Sequence, residues 1–278
     1  MTLIASAENS DGGFHPPSIL DFFPPAIFQI GSFEFTRIHG AQLLATALIV
    51  LLLVLGTRRM RVVPGRFQSI VEMGIDFVRG GIAHDLLGRK DGERFVPLLT
   101  TMFFMILFMN LTGIIPGINI AGTSIIAVPL LLAVIAYVTF IYAGIKKSPA
   151  RFFKNSLFPT ISEPSYDADG KKKFNPMVFL YLLITPLEFI STFVIRPVTL
   201  TLRLMMNMVV GHLMLVLFFS ATHFFFFTMS GWWTALGAGT LAFGLAFTTF
   251  EILVGFLQAY VFTILTAVYI QLAVAEEH

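Results

Sequence analysis

Arg203 and Asn207 stand four residues apart in an apolar run, 176–222, that also carries Glu188, Arg196 and His212. A second apolar run, 231–275, carries Glu251 and Gln258 seven residues apart. A guanidinium keeps its proton in any protein setting, and at mid-membrane it costs several kcal/mol by insertion scales. Imidazole and carboxylate can take up and release protons. At about 100° per residue, Arg203 and Asn207 share a helix face, and His212 points roughly the opposite way. Glu251 and Gln258 share a face of their own. Two antiparallel helices would bring Gln258 near the depth of Arg203 and Glu251 closer to His212. Such a column has titratable groups leading to a fixed cation, which is a proton path with a barrier in it.

Blander roles compete for each residue. His212 alone suits a hydrogen-bonded packing position, and Glu251 with Arg203 could be a structural salt bridge. Arg196, beside Pro197, could be an interfacial residue whose stem snorkels, with Glu188 as its partner. Met205, Met206, Met208 and Met214 read as packing residues. The chain has no cysteine, six scattered histidines, no His-Glu-x-x-His and no Gly-rich phosphate loop ending in Lys-Ser/Thr. These patterns imply no metal, no cofactor and no nucleotide bound in that way. No nucleophile–base pair suggests a catalytic site. An independent transporter binding an anion at Arg203 stays open, although there are no inverted repeats or paired broken helices.

The elements that must position these residues follow from composition. Of 278 residues 56% are hydrophobic and 12% charged, against about a quarter charged in soluble domains. The expected fold is an all-α integral membrane protein with five crossings. Three spans lie at 38–56, 95–115 and 123–145, and the runs 176–222 and 231–275 form the last two. These last two are too long to stand upright in a core of about 30 Å, so they are tilted or bent, with Pro186 and Pro197 as bend points. Residues 66–87 are amphipathic, with Phe67, Ile70, Val71, Gly74, Phe77, Val78 and Ile82 opposite Arg66, Glu72, Asp76, Arg79 and Asp85. That pattern fits a helix on the membrane surface, or a connector packed on its neighbours.

Charge placement orients the spans. Residues 57–94 hold eight Lys/Arg and 146–175 hold seven, whereas the opposite side holds Arg37 alone. By the positive-inside rule the N-terminus faces out and the C-terminus faces the cytoplasm. Residues 1–37 form a polar, proline-stiffened outer arm without the marks of a signal peptide. The remainder, 38–278, is one membrane domain, with 146–175 a solvated cytoplasmic loop.

Four segments together resemble subunit a of the F-type ATP synthase. They are Val63-Pro-Gly-Arg-Phe-Gln68, Met109-Asn-Leu-Thr-Gly-Ile-Ile-Pro116, Arg196-Pro-Val-Thr-Leu-Thr-Leu-Arg-Leu-Met-Met-Asn207 and Leu257-Gln-Ala-Tyr-Val-Phe262. The likeness runs in order from about Phe33 to the C-terminus. It implies a single copy in a hetero-oligomeric complex of a bacterial inner membrane, in contact with a ring of c subunits, b-type peripheral stalk subunits and lipid, with no nucleic acid. It also implies that Arg203 faces the ring, that Asn207 and Gln258 neighbour it, and that His212 and Glu251 line the outer half-channel. Many bacterial members hold Glu and then His at those two positions; here the pair is exchanged. Gly113 stands where some relatives carry an Asp near the outer channel mouth, which leaves that task to Asn110 with water. Glu188 would line the inner half-channel.

Overall fold

The computed structural model describes residues 28–30, 33–58, 65–115, 122–147, 186–187, 189–229 and 231–274. The arm before residue 28, most of the 146–175 loop, the start of the fourth span and Glu188 lie outside the described residues. Two three-residue strands, β1 (Phe28–Ile30) and β2 (Phe33–Phe35), pair antiparallel with Gln29 opposite Glu34. This small hairpin falls within the stretch expected to be a polar, proline-stiffened arm. Among the described residues, those after it are helical apart from short turns and connections.

α1 (Arg37–Thr57) matches the first span. Its buried residues Ile38, Ala41, Ala45 and Ile49 repeat every three or four positions, while Leu43, Val50, Leu51 and Leu55 face outward. Alanine at two of these four positions suits helix association in lipid, where small residues let backbones approach and apolar surface gains nothing by leaving hydrocarbon.

α2 (Arg66–Val78) continues through a π-helical stretch, Arg79–His84, into α3 (Asp85–Thr112). The backbone turns at Gly88, whose φ of +74° lies in the left-handed region. The break falls one residue past the expected end of the amphipathic helix. The apolar face of α2 divides in two: Val71, Val78 and Ile82 are buried, whereas Phe67, Ile70, Met73 and Phe77 remain exposed. Near the break, Glu93 accepts hydrogen bonds from Arg79, with Nε at 3.0 Å, and meets His84 Nε2 at 3.2 Å.

α4 (Ala127–Lys147) begins four residues later than the third span was expected to, because Gly122–Ile126 forms a turn. A second π stretch, Ser191–Ile195, leads into α5 (Arg196–Phe227). Pro197 has no N–H and crowds the preceding turn, so widening of the helix just upstream has a local cause. The phenol of Tyr137 on α4 donates to the Thr192 carbonyl in that stretch at 2.7 Å. After a 3₁₀ turn at Gly231–Trp233, α6 (Thr234–Val274) runs for 41 residues, about 60 Å at 1.5 Å per residue. A core of about 30 Å cannot contain that length upright.

Among the described residues, five helical stretches are long and apolar enough to cross a membrane. α6 is the centre of the bundle: α3, α4 and α5 all pack on it, and α1 packs on α3. The core joins Val78, Leu99, Phe103, Ile106, Leu204 and Phe262. Several buried threonines bond to carbonyls one turn back, as Thr201 does to Pro197 and Thr263 to Ala259, which covers those hydroxyls in hydrocarbon; the Thr100 hydroxyl has no partner among the described residues.

Candidate functional site

α5 and α6 run antiparallel in a one-for-one register. A Cβ built on Gly211 would stand 2.7 Å from Glu251 Oε1. Seven residues further along α5, Phe218 Cβ lies 3.4 Å from the Cβ position of Gly244, seven residues back along α6. Eleven residues beyond Gly211, the Thr222 hydroxyl meets that of Thr240, eleven before Glu251, at 2.9 Å. Carrying the same register eight residues the other way sets Arg203 level with Ala259, next to Gln258. Gln258 therefore comes to the depth of Arg203, and Glu251 comes to the depth of His212.

The faces divide as helical spacing requires. Arg203 is exposed on the surface of the chain, and Asn207, one turn on, is half-buried. Around them Val198, Leu202, Met206, Val210 and Met214 form an exposed apolar row at four-residue intervals. His212 is buried on the opposite side of α5. Glu251 is 4% exposed and Gln258 7%. Among the described residues neither oxygen of Glu251 nor Nε2 of Gln258 has a hydrogen-bond partner. No ion pair joins Arg203 to Glu251: the pairs found among the described residues are Arg79–Glu93, His84–Glu93 and Lys147–Asp91. The structural salt bridge is thereby set aside.

Asn110 is buried and hydrogen-bonded at both ends of its amide. Its side chain is 0% exposed, between α3, the 122–126 turn and α6. Nδ2 donates to the Gly255 carbonyl at 3.3 Å, and Oδ1 accepts from the Thr123 hydroxyl at 2.9 Å. A carbonyl can only accept, so it takes the amide NH₂ and leaves the oxygen for Thr123. Arg196 is half-buried at the start of α5, its guanidinium 5.4 Å from the centre of the Tyr269 ring. That contact suits a cation–π anchor. No group of His, Asp and Glu able to hold a metal occurs among the described residues.

Two residues of the site carry no mark in the sequence. Gly211 is needed because the Glu251 carboxylate fills the place of its side chain. Thr123 closes the hydrogen-bonded chain through Asn110. Their only signal is position: one lies beside His212, the other at the start of a span.

A family profile described as the ATP synthase A chain matches residues 41–271. A Rhodococcus erythropolis protein named ATP synthase subunit a is 45% identical over 95% of this chain and 92% of its own length. One of the same name from Streptomyces lividans is 40% identical over 80% of this chain and 73% of its own. Another, from Pseudarthrobacter chlorophenolicus, is 36% identical over the full length of both. With five membrane-length helices and a profile match over most of its length, the chain belongs to the family of ATP synthase subunit a, the non-catalytic, proton-translocating stator subunit of the F-type enzyme.

Proposed function

We propose that this chain provides two proton half-channels against a rotating ring of c subunits, and that Arg203 is the charge that keeps them apart. The reading rests on one contrast. Arg203 is exposed and has no ion-pair or hydrogen-bond partner among the described residues, while the titratable His212 and Glu251 are buried along the α5–α6 seam. An opposite charge within about 4–6 Å favours the ionised form of a carboxyl. A ring carboxylate drawn up to Arg203 therefore releases its proton to one side and takes one from the other after passing. Because Arg203 stays charged, it also blocks protons from running straight between the two sides.

In this scheme Asn207 and Gln258 are polar neighbours of the passing carboxylate, and His212 and Glu251 line the outer half-channel. Asn110 borders that channel from α3, Glu188 belongs to the inner one, and Arg196 anchors the inner end of α5. The N-terminus faces out, and the C-terminus faces the cytoplasm of a bacterium whose inner membrane holds the complex. α2 lies along the cytoplasmic membrane surface, with Phe67, Ile70, Met73 and Phe77 in lipid. The chain acts as one copy, with the ring on one side and b-type stalk subunits elsewhere.

Arg203→Ala and Arg203→Gln in the complete complex test the reading. Coupled ATP synthesis in membrane vesicles is expected to fall at least about a hundredfold, the effect of some 2.7 kcal/mol in a barrier. Fully coupled synthesis in either variant would sink it. Purification separates the transporter alternative: this chain should bring down a ring of small hairpin proteins, whereas a transporter would come alone or as a simple homo-oligomer.

A further inference from the structure

We infer that Thr123 and Asn110 are positioning residues for the proton path, acting through the backbone of α6; the inference rests on the half-channel reading above. Gly255, whose carbonyl accepts from Asn110, lies four residues past Glu251 and three before Gln258. The hold therefore falls on the turns of α6 between the two polar side chains. Helix interiors in lipid have little else to set their depth, since sliding apolar faces past one another changes no hydrophobic contact.

The chain of bonds reaches further back. The Gln42 amide on α1 donates to the Gly122 carbonyl at 2.9 Å, and the Gly122 N–H meets the Met109 carbonyl at 3.3 Å. Thr123, 0% exposed, follows directly and donates to Asn110. α1, α3 and the 122–126 turn are thus stitched together, and Asn110 carries that stitch to α6. Both hydrogen-bonding ends of the Asn110 amide are used in the process. Its function is to hold the helix that presents Glu251 and Gln258, so that Glu251 meets Gly211 and Gln258 comes level with Arg203.

Thr123→Val removes the hydroxyl at nearly constant volume, and Thr123→Ser keeps it. Asn110→Leu removes both ends of the bridge. Each is made in the full complex; subunit content is measured by co-purification, and passive proton conduction is followed against pH in vesicles stripped of the catalytic head. The buried titratable groups nearest this level are Glu251 on α6 and His212 on α5; α4, which packs on both helices, carries Tyr137 and Tyr142, and α1 carries His39 one turn before Gln42, whereas α3 between Phe95 and Thr112, and residues 122–126, contribute none. With assembly intact, Thr123→Val is expected to slow conduction roughly three- to tenfold, the weight of one buried hydrogen bond, and to displace its pH profile. Thr123→Ser should restore both. An assembled Thr123→Val complex with unchanged rate and profile overturns the inference. Failure of Thr123→Val and Asn110→Leu to assemble overturns it too, by making the bridge a packing tie alone. Neither result bears on Arg203, whose own substitutions test the half-channel reading separately.

Discussion

Gly211 and Glu251 meet across the α5–α6 seam so closely that the carboxylate occupies the space a side chain on Gly211 would need, with Oε1 2.7 Å from the missing Cβ. Ordinary contact between a methyl and an oxygen needs several tenths of an ångström more. Either the carboxylate withdraws or the helices part.

Gly211→Ala should therefore act on proton flow before it acts on folding. The complex assembles, and passive proton conduction falls about tenfold, equivalent to roughly 1.4 kcal/mol in the barrier. Conduction at the parental rate would show that the carboxylate has free room to move.

The Thr222–Thr240 pair should be nearly silent. Hydrogen bonds between membrane helices average about 0.6 kcal/mol, and Thr222 also donates back to the Phe218 carbonyl within α5. Thr222→Val is expected to lower the thermal stability of the purified complex by no more than about 1 kcal/mol and to leave synthesis intact. A loss of coupling would mean that this end of the seam carries protons.

Gly88→Ala isolates a backbone effect. Nothing lies within 4 Å of the position a Cβ would take, so crowding contributes nothing and the φ of +74° is the whole penalty. With its ψ of 165°, Gly88 sits in backbone space essentially reserved for glycine, at a cost of roughly 1–3 kcal/mol to any other residue. Gly88→Asn should cost about as much as Gly88→Ala, since this is not the left-handed helical well that Asn tolerates. The measurement is the thermal stability of the two variant complexes; parental stability in either would argue against strain as the cause.

The sequence and the structure agree where the determining rule is local. Rotation of about 100° per residue separates Arg203 from His212 and joins Glu251 to Gln258, and their exposures follow that arithmetic. The backbone kink at Gly88 falls beside the last residue of the amphipathic stretch, at a glycine visible in the sequence. Long-range partners are another matter. Asn110 and Gly255 are 145 residues apart, and no periodicity in either helix announces that one holds the other. The need for glycine at 211 is equally silent, since it is set by a side chain on another helix. The turn at 122–126 reads as an apolar span start because the α1 and α3 groups that bond to Gly122 and Thr123 are far away in sequence. Expectations for Glu188 and the 148–175 stretch lie outside the described residues.

The one-for-one register of α5 and α6 has a consequence for how such chains can diverge. Gly211, His212 and Glu251 stand at one level, so a carboxylate and an imidazole can trade helices and still arrive at the same spot in the bilayer. The exchanged order of this pair, set against the many bacterial members it resembles, then amounts to a change of ownership. On the half-channel reading proposed above, a proton would meet the same two groups at the same depth, whichever helix supplies them.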